Sequence, residues 1–128
     1  MNLNYSDEDN KFRKKIKDFI KANLSIESQK RVLNGGKYNK DEIIKWQKAL
    51  FNANMFASNW PKENGGCDWT PMQRYIFDQE TAFANTPQIV PFGVTMVGPV
   101  IIEFGTSAQK EKFLPKILNS EHWWCQGY

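Results

Sequence analysis

An all-α fold of five to six helices, followed by the start of one β-strand, is what this sequence predicts. Apolar residues recur at helical spacing behind helix-capping residues in segment after segment. No turn pair lies between alternating apolar runs in a setting that would make a hairpin. The strand comes from the last residues, Trp123-Trp124-Cys125-Gln126-Gly127-Tyr128. An aromatic-rich run of this kind reads as a strand opening, and nothing earlier offers it a partner. A lone strand leaves backbone donors and acceptors unpaired, so the expectation is a sheet that continues beyond Tyr128.

The first helix follows Ser6 as N-cap, with Asp7, Glu8 and Asp9 set against the positive end of its dipole. Phe12, Ile16, Phe19, Ile20 and Leu24 form its apolar stripe, and Gly35-Gly36 closes the loop after it. Asn39 and Glu42 suggest a capping arrangement for a helix running to about Asn54. Its buried face would use Ile43, Trp46, Leu50 and Phe51. From Met55 to Thr70 turn residues accumulate, predicting a long ordered loop anchored by Trp60 and Trp69. Thr70-Pro71 is an N-cap with proline in the first helical position. The helix it opens carries Met72, Tyr75, Ile76, Gln79 and Phe83 to about Ala84.

Pro91 to Phe104 reads as a broken helical segment in which Pro99 begins a short helix or kinks a longer one, with Gly105 as its cap. Thr106 and Gln109 form a capping box for the next helix, which Pro115 bends or restarts.

The net charge of +3 hides an asymmetry: residues 1–50 carry 12 Lys/Arg against 7 Asp/Glu, and residues 51–128 carry 5 against 7. The excess sits on Lys11, Arg13, Lys14, Lys15, Lys17 and Lys21. A nucleic-acid or phosphate-binding face is one reading. The solvated side of an amphipathic helix is the better one, because no aromatic residues interleave for base stacking. The N-terminus lacks the pattern of a signal peptide, and the apolar stretch Ile89–Ile102 is too broken by Pro and Gly to span a membrane. Cys67 and Cys125 are isolated, so free thiols in a reducing cytoplasm are expected. His122, the single histidine, makes with Cys125 at most half a metal site, so no metal is expected.

Two stretches carry a resemblance. Trp60-Pro61-Lys62-Glu63-Asn64-Gly65-Gly66-Cys67 resembles the tryptophan-proline to glycine-glycine turn near the front of acyl-CoA dehydrogenases. Gly98-Pro99-Val100-Ile101-Ile102-Glu103-Phe104-Gly105-Thr106, then Gln109-Lys110, Leu114-Pro115 and Trp124-Cys125-Gln126-Gly127-Tyr128, are similar to that family's sequence up to the strand that begins its flavin-binding middle domain. The likeness runs in order over nearly the whole chain from Ser6. The terminal wording is similar to bacterial members acting on dicarboxylic or steroid side chains.

The resemblance implies an N-terminal helical domain, residues 1–121, with 122–128 as the first strand of a β-domain. It implies FAD held between that β-domain, this domain and a C-terminal helical domain. In the family, acyl-CoA becomes trans-2-enoyl-CoA as a carboxylate base removes the α-proton and hydride passes from the β-carbon to the flavin. An electron-transfer acceptor and homo- or hetero-oligomers are the expected partners. Gln126 and Tyr128 match cofactor-binding positions beside the flavin, whereas Thr95 and Met96 match positions lining the acyl pocket. The serine-glutamate-proline-glycine run that follows in the family is not in this sequence, nor is the region that usually holds the catalytic glutamate. No catalytic residue is therefore assigned, and Glu103 and Glu121 fit solvated helix ends. An acyl-CoA oxidase or flavin monooxygenase of the same superfamily is the alternative of like fold. A stand-alone helical interaction module is the alternative of another class.

Overall fold

The computed structural model describes residues 5–128. They form six α-helices: α1 Asp7–Asn23, α2 Ile26–Leu33, α3 Lys40–Asn52, α4 Pro71–Phe83, α5 Gly98–Phe104 and α6 Ser107–Leu118. A 3-10 turn, Lys62–Asn64, and a π-helix, Phe92–Val97, complete the regular structure. The all-α expectation holds. The terminal strand does not form: residues 122–128 have no regular structure, and no described residue is in a strand. A strand needs a neighbour to receive its ladder hydrogen bonds, and these helices offer none. No helix among the described residues is long and apolar enough to cross a membrane.

The chain divides into two compact units, Met1–Asn39 with Trp69–Pro87 and Lys40–Asp68 with Gln88–Tyr128. In the first, α1 packs on α4 through buried Ile16, Ile20, Ile76 and Phe77. Trp69 lies between Phe12 and Phe77, with centroid separations of 5.3 and 5.0 Å. The capping boxes at Ser6 and Thr70 are both formed, Asp9 and Gln73 returning the hydrogen bond. Local residues set these ends, and local sequence foretold them.

Two expectations in this unit need correction. Helix α2 falls where a loop was expected. Ser25 accepts from the Ser28 amide to start it, and Gly35 and Gly36 donate back to Val32 and Arg31 to stop it. The glycine pair thus terminates a helix, in the hydrogen-bond pattern of a Schellman motif. Helix α4 also buries a different stripe: Met72, Tyr75 and Phe83 are exposed, while Phe77 and Glu80 are inside with Ile76. Glu80 can lie there because Arg13 Nε is 3.1 Å from one of its oxygens and Lys17 Nζ 3.7 Å from the other.

The second unit is built on Trp46, Leu50, Met55, Phe56, Trp60, Val94, Leu114 and Ile117, all buried. In α3, Phe51 is exposed, and Gln47 takes the place in the core that apolar periodicity gave to its neighbours. Its amide donates to Ser120 Oγ at 3.0 Å and its carbonyl accepts from the Val90 amide at 2.9 Å. A buried amide is tolerable when satisfied in this way. Thr106 and Gln109 form the expected box on α6. Pro115 lies within α6, which runs on to Leu118 without a restart. Gly105 ends α5 with extended backbone, not the left-handed cap.

Candidate functional site

The tryptophan-proline turn is shaped by close backbone approach. The Gly66 amide donates to the Pro61 carbonyl at 3.0 Å. A Cβ on Gly66 would stand 1.7 Å from the Trp60 carbonyl oxygen, so the turn accepts only glycine there. The result is a fixed Trp60, 3% exposed, whose indole Nε1 donates to the Val94 carbonyl at 2.6 Å. Gly98 clears space for the same ring: a Cβ there would lie 2.2 Å from Trp60 Cζ2.

Thr95 and Met96 follow Val94 on the π-helix, and both are exposed. The π register is visible in the Gly98 amide, which donates to the Gly93 carbonyl five residues back. Turns of this type insert one extra residue and recur at functional sites. Pro99 falls in the first turn of α5, as its sequence position foretold. Thr95 sits on the solvent side of this segment.

The C-terminal segment returns to the π-helix. The His122 amide donates to the Lys116 carbonyl at 3.0 Å, and Trp124 meets Phe113 edge-on at 5.7 Å. Its half-buried ring is thus used in packing against α6. Beyond it, Gln126 Nε2 lies 3.7 Å from Met96 Sδ, and the Tyr128 hydroxyl donates to Gln126 Oε1 at 2.9 Å. Three of the four residues singled out in the sequence therefore touch in a row, and Thr95 is the chain neighbour of the first. Met96 is 45% exposed and Tyr128 fully so. Val94, in contrast, faces inward.

The chemistry available here is binding chemistry. A polarizable thioether, an amide and a phenol line one exposed strip, and the exposed Thr95 hydroxyl belongs to the residue before the thioether. An amide and a phenol beside an apolar surface suit a flat ring with polar edges, as one wall and no more. Neither Glu103 nor Glu121 belongs to the strip: both are exposed, and Glu121 accepts from its neighbour Asn119 at 2.9 Å. No group of three metal-ligating side chains occurs among the described residues. On α1, Arg13, Lys14 and Lys17 are matched to Glu80 and Asp18, so much of that basic face is balanced within its own unit.

Sequence reading missed Trp60 as a hydrogen-bond donor and Gln47 as a clamp. The signal for Gln47 was a polar residue inside the Trp46–Leu50 stripe. The signal for Trp60 was Pro99, five residues beyond the carbonyl that the indole serves.

Residues 6–121 match the family model described as acyl-CoA dehydrogenase, N-terminal domain. Among curated proteins, the chain is 35% identical over 122 residues to acyl-CoA dehydrogenase IpdE1 of Mycolicibacterium smegmatis, covering 91% of this chain and 31% of that protein. It is 30% identical to acyl-CoA dehydrogenase FadE26 of Mycobacterium tuberculosis, covering 100% of this chain and 32% of that protein. Among solved structures, the ChsE4-ChsE5 complex from Mycobacterium tuberculosis superposes with a TM-score of 0.75 at 25% identity, over 94% of this chain and 30% of that one. A structure described as the Tcur3481-Tcur3483 steroid ACAD gives 0.76 at 25% identity, over 94% and 31%. The chain spans about a third of the length of these relatives.

Proposed function

Because the chain belongs to the acyl-CoA dehydrogenase family as its N-terminal domain, we propose that it serves an FAD-dependent oxidation of acyl-CoA to trans-2-enoyl-CoA. Thr95 and Met96 contribute to the acyl pocket, and Gln126 and Tyr128 to one wall of the flavin site. The observation that supports this reading is the Met96–Gln126–Tyr128 row, in which residues proposed for the two roles touch. Residues 1–121 are the helical domain, and 122–128 lead into the β-domain.

FAD, when bound, supplies the acceptor for the hydride that leaves the β-carbon. The chain's own part is to bind and orient. The Met96 thioether bounds the acyl tail, and the Thr95 hydroxyl gives that wall a polar point. Gln126 and Tyr128 hold each other, so their hydrogen-bonding groups are fixed before a cofactor arrives. The proton on the α-carbon goes to a carboxylate outside these residues.

The proposed acyl group is bulky, of the steroid side-chain type, a reading supported by the relative described as a steroid ACAD. A hetero-oligomer is the proposed assembly, in keeping with the ChsE4-ChsE5 complex, and a separate electron-transfer protein re-oxidises the flavin. Cys67 and Cys125, both free thiols, suit a reducing cytoplasm. An acyl-CoA oxidase would share the acyl and flavin walls and would differ in re-oxidation, its reduced flavin reacting rapidly with oxygen in place of an electron-transfer protein.

The residues present form only one wall of a cofactor site, and such affinity needs all its walls. The 128-residue chain alone is therefore expected to purify colourless and inactive. The polypeptide carrying it together with the β- and C-terminal helical domains is expected to purify yellow and to oxidise acyl-CoA. Absorbance spectra of the two preparations make the check. Stoichiometric FAD on the 128-residue chain would overturn the shared-site reading, and a longer polypeptide without flavin would overturn the function.

A further inference from the structure

We infer that Trp60 is a positioning residue for the acyl-contact helix: its indole replaces the backbone donor that Pro99 denies to Val94, and so holds Thr95 and Met96 in the π register. The role assigned to Thr95 and Met96 rests on the function proposed above, whereas the register argument does not.

In a π turn each carbonyl accepts from the amide five residues on, as Gly93 accepts from Gly98. The carbonyl after it, on Val94, would take residue 99, which is proline and has no N–H. Residue 98, the donor an α register would use, is already given to Gly93. Val94 is buried, and a buried carbonyl needs a partner. Trp60 Nε1 fills the need at 2.6 Å.

Everything around that bond keeps it in place. Gly66 permits the turn that carries Trp60, and Gly98 lets the ring lie against the helix. Trp60 itself is almost wholly buried. The tryptophan-proline to glycine-glycine run, which the binding strip does not otherwise use, thereby acquires a purpose. It delivers one N–H to one carbonyl. Thr95 and Met96 are the two residues that follow that carbonyl, and their outward placement is set by the register it fixes.

The test is a rescue. Trp60→Phe keeps a ring and loses the donor, while Pro99→Ala restores a backbone N–H at the position the π register calls for. In the 128-residue chain, Trp60→Phe is expected to shift the amide resonances of residues 93–98. The Trp60→Phe/Pro99→Ala double variant is expected to return them toward the parent. In the longer flavin-containing polypeptide, Trp60→Phe is expected to raise KM for acyl-CoA about tenfold, the scale of one buried hydrogen bond, with a smaller change in kcat. The double variant should recover most of that loss. Where Trp60→Phe fails to fold, the parent chain decides, since the Trp60 indole proton must exchange with solvent much more slowly than that of exposed Trp123. Unshifted resonances, rapid indole exchange, or a folded double variant that recovers nothing would overturn the inference. Absence of acyl-CoA oxidation in the longer parent would instead overturn the proposed function and leave the resonance result to stand.

Discussion

Replacing Gly66 with alanine is expected to cost about 4 kcal/mol or more, the range reached only when backbone or core is forced apart. The added Cβ would lie 1.7 Å from the Trp60 carbonyl oxygen, 2.4 Å from its carbon and 2.8 Å from the Pro61 oxygen. All three are backbone atoms, so no side-chain rotation relieves the overlap. The turn must open, which withdraws the Gly66 amide from Pro61 and moves Trp60 out of a core it fills. Against the ~5–15 kcal/mol that stabilises a typical domain, that loss brings the chain near its unfolding midpoint. Urea denaturation followed by tryptophan fluorescence makes the measurement. Gly127→Ala is the control, because a Cβ there meets nothing within 4 Å. It should melt within about 0.5 kcal/mol of the parent. Equal midpoints for the two variants would show that the turn is not held as described.

Arg13→Leu has the second largest expected effect, a loss of about 3 kcal/mol. Glu80 keeps only 8% of its side-chain surface, and Arg13 Nε at 3.1 Å is its near partner. Lys17, at 3.7 Å and largely exposed, is the weaker one. Arg13 also donates to Gln79 at 2.8 Å and lies over the Tyr5 ring at 4.0 Å. Removing it strands a carboxylate in the α1–α4 interface, which costs far more than the pair contributes. The Arg13→Leu/Glu80→Leu double variant removes both charges and should recover most of the loss. Thermal melts of the three proteins give the coupling directly. A double variant no better than the single one would contradict the account.

What the sequence disclosed follows from how local each feature is. The caps at Ser6, Thr70 and Thr106 were legible because donor and acceptor lie three residues apart. Pro99 at the front of α5 was legible because proline's fixed φ and missing amide are properties of that one residue. Helix α2 was hidden because two of its three apolar residues, Ile26 and Leu33, are exposed and mark no core face. On α4, the named set Met72, Tyr75, Ile76, Gln79 and Phe83 and the buried set Ile76, Phe77 and Glu80 are overlapping stripes on one cylinder that share Ile76. Choosing between them required Arg13, 67 residues away, to make Glu80 acceptable inside. Met96, Gln126 and Tyr128 were named from family likeness, and their contact with one another was beyond any local pattern. Met96 and Gln126 are 30 positions apart, and only the returning C-terminal segment joins them. The terminal strand failed because strand propensity is a statement about a neighbour as much as about a sequence.

The central claim is that this domain helps to place an acyl thioester against a flavin. Anaerobic titration of acyl-CoA into the polypeptide that carries this chain with its β- and C-terminal helical domains tests it most directly, the visible absorbance of the flavin being followed. The account predicts bleaching by a bulky acyl-CoA, and weaker binding of that ligand when Met96 is replaced by tryptophan. A flavin that no acyl-CoA bleaches, or a Met96→Trp variant that binds every acyl-CoA as the parent does, would contradict it.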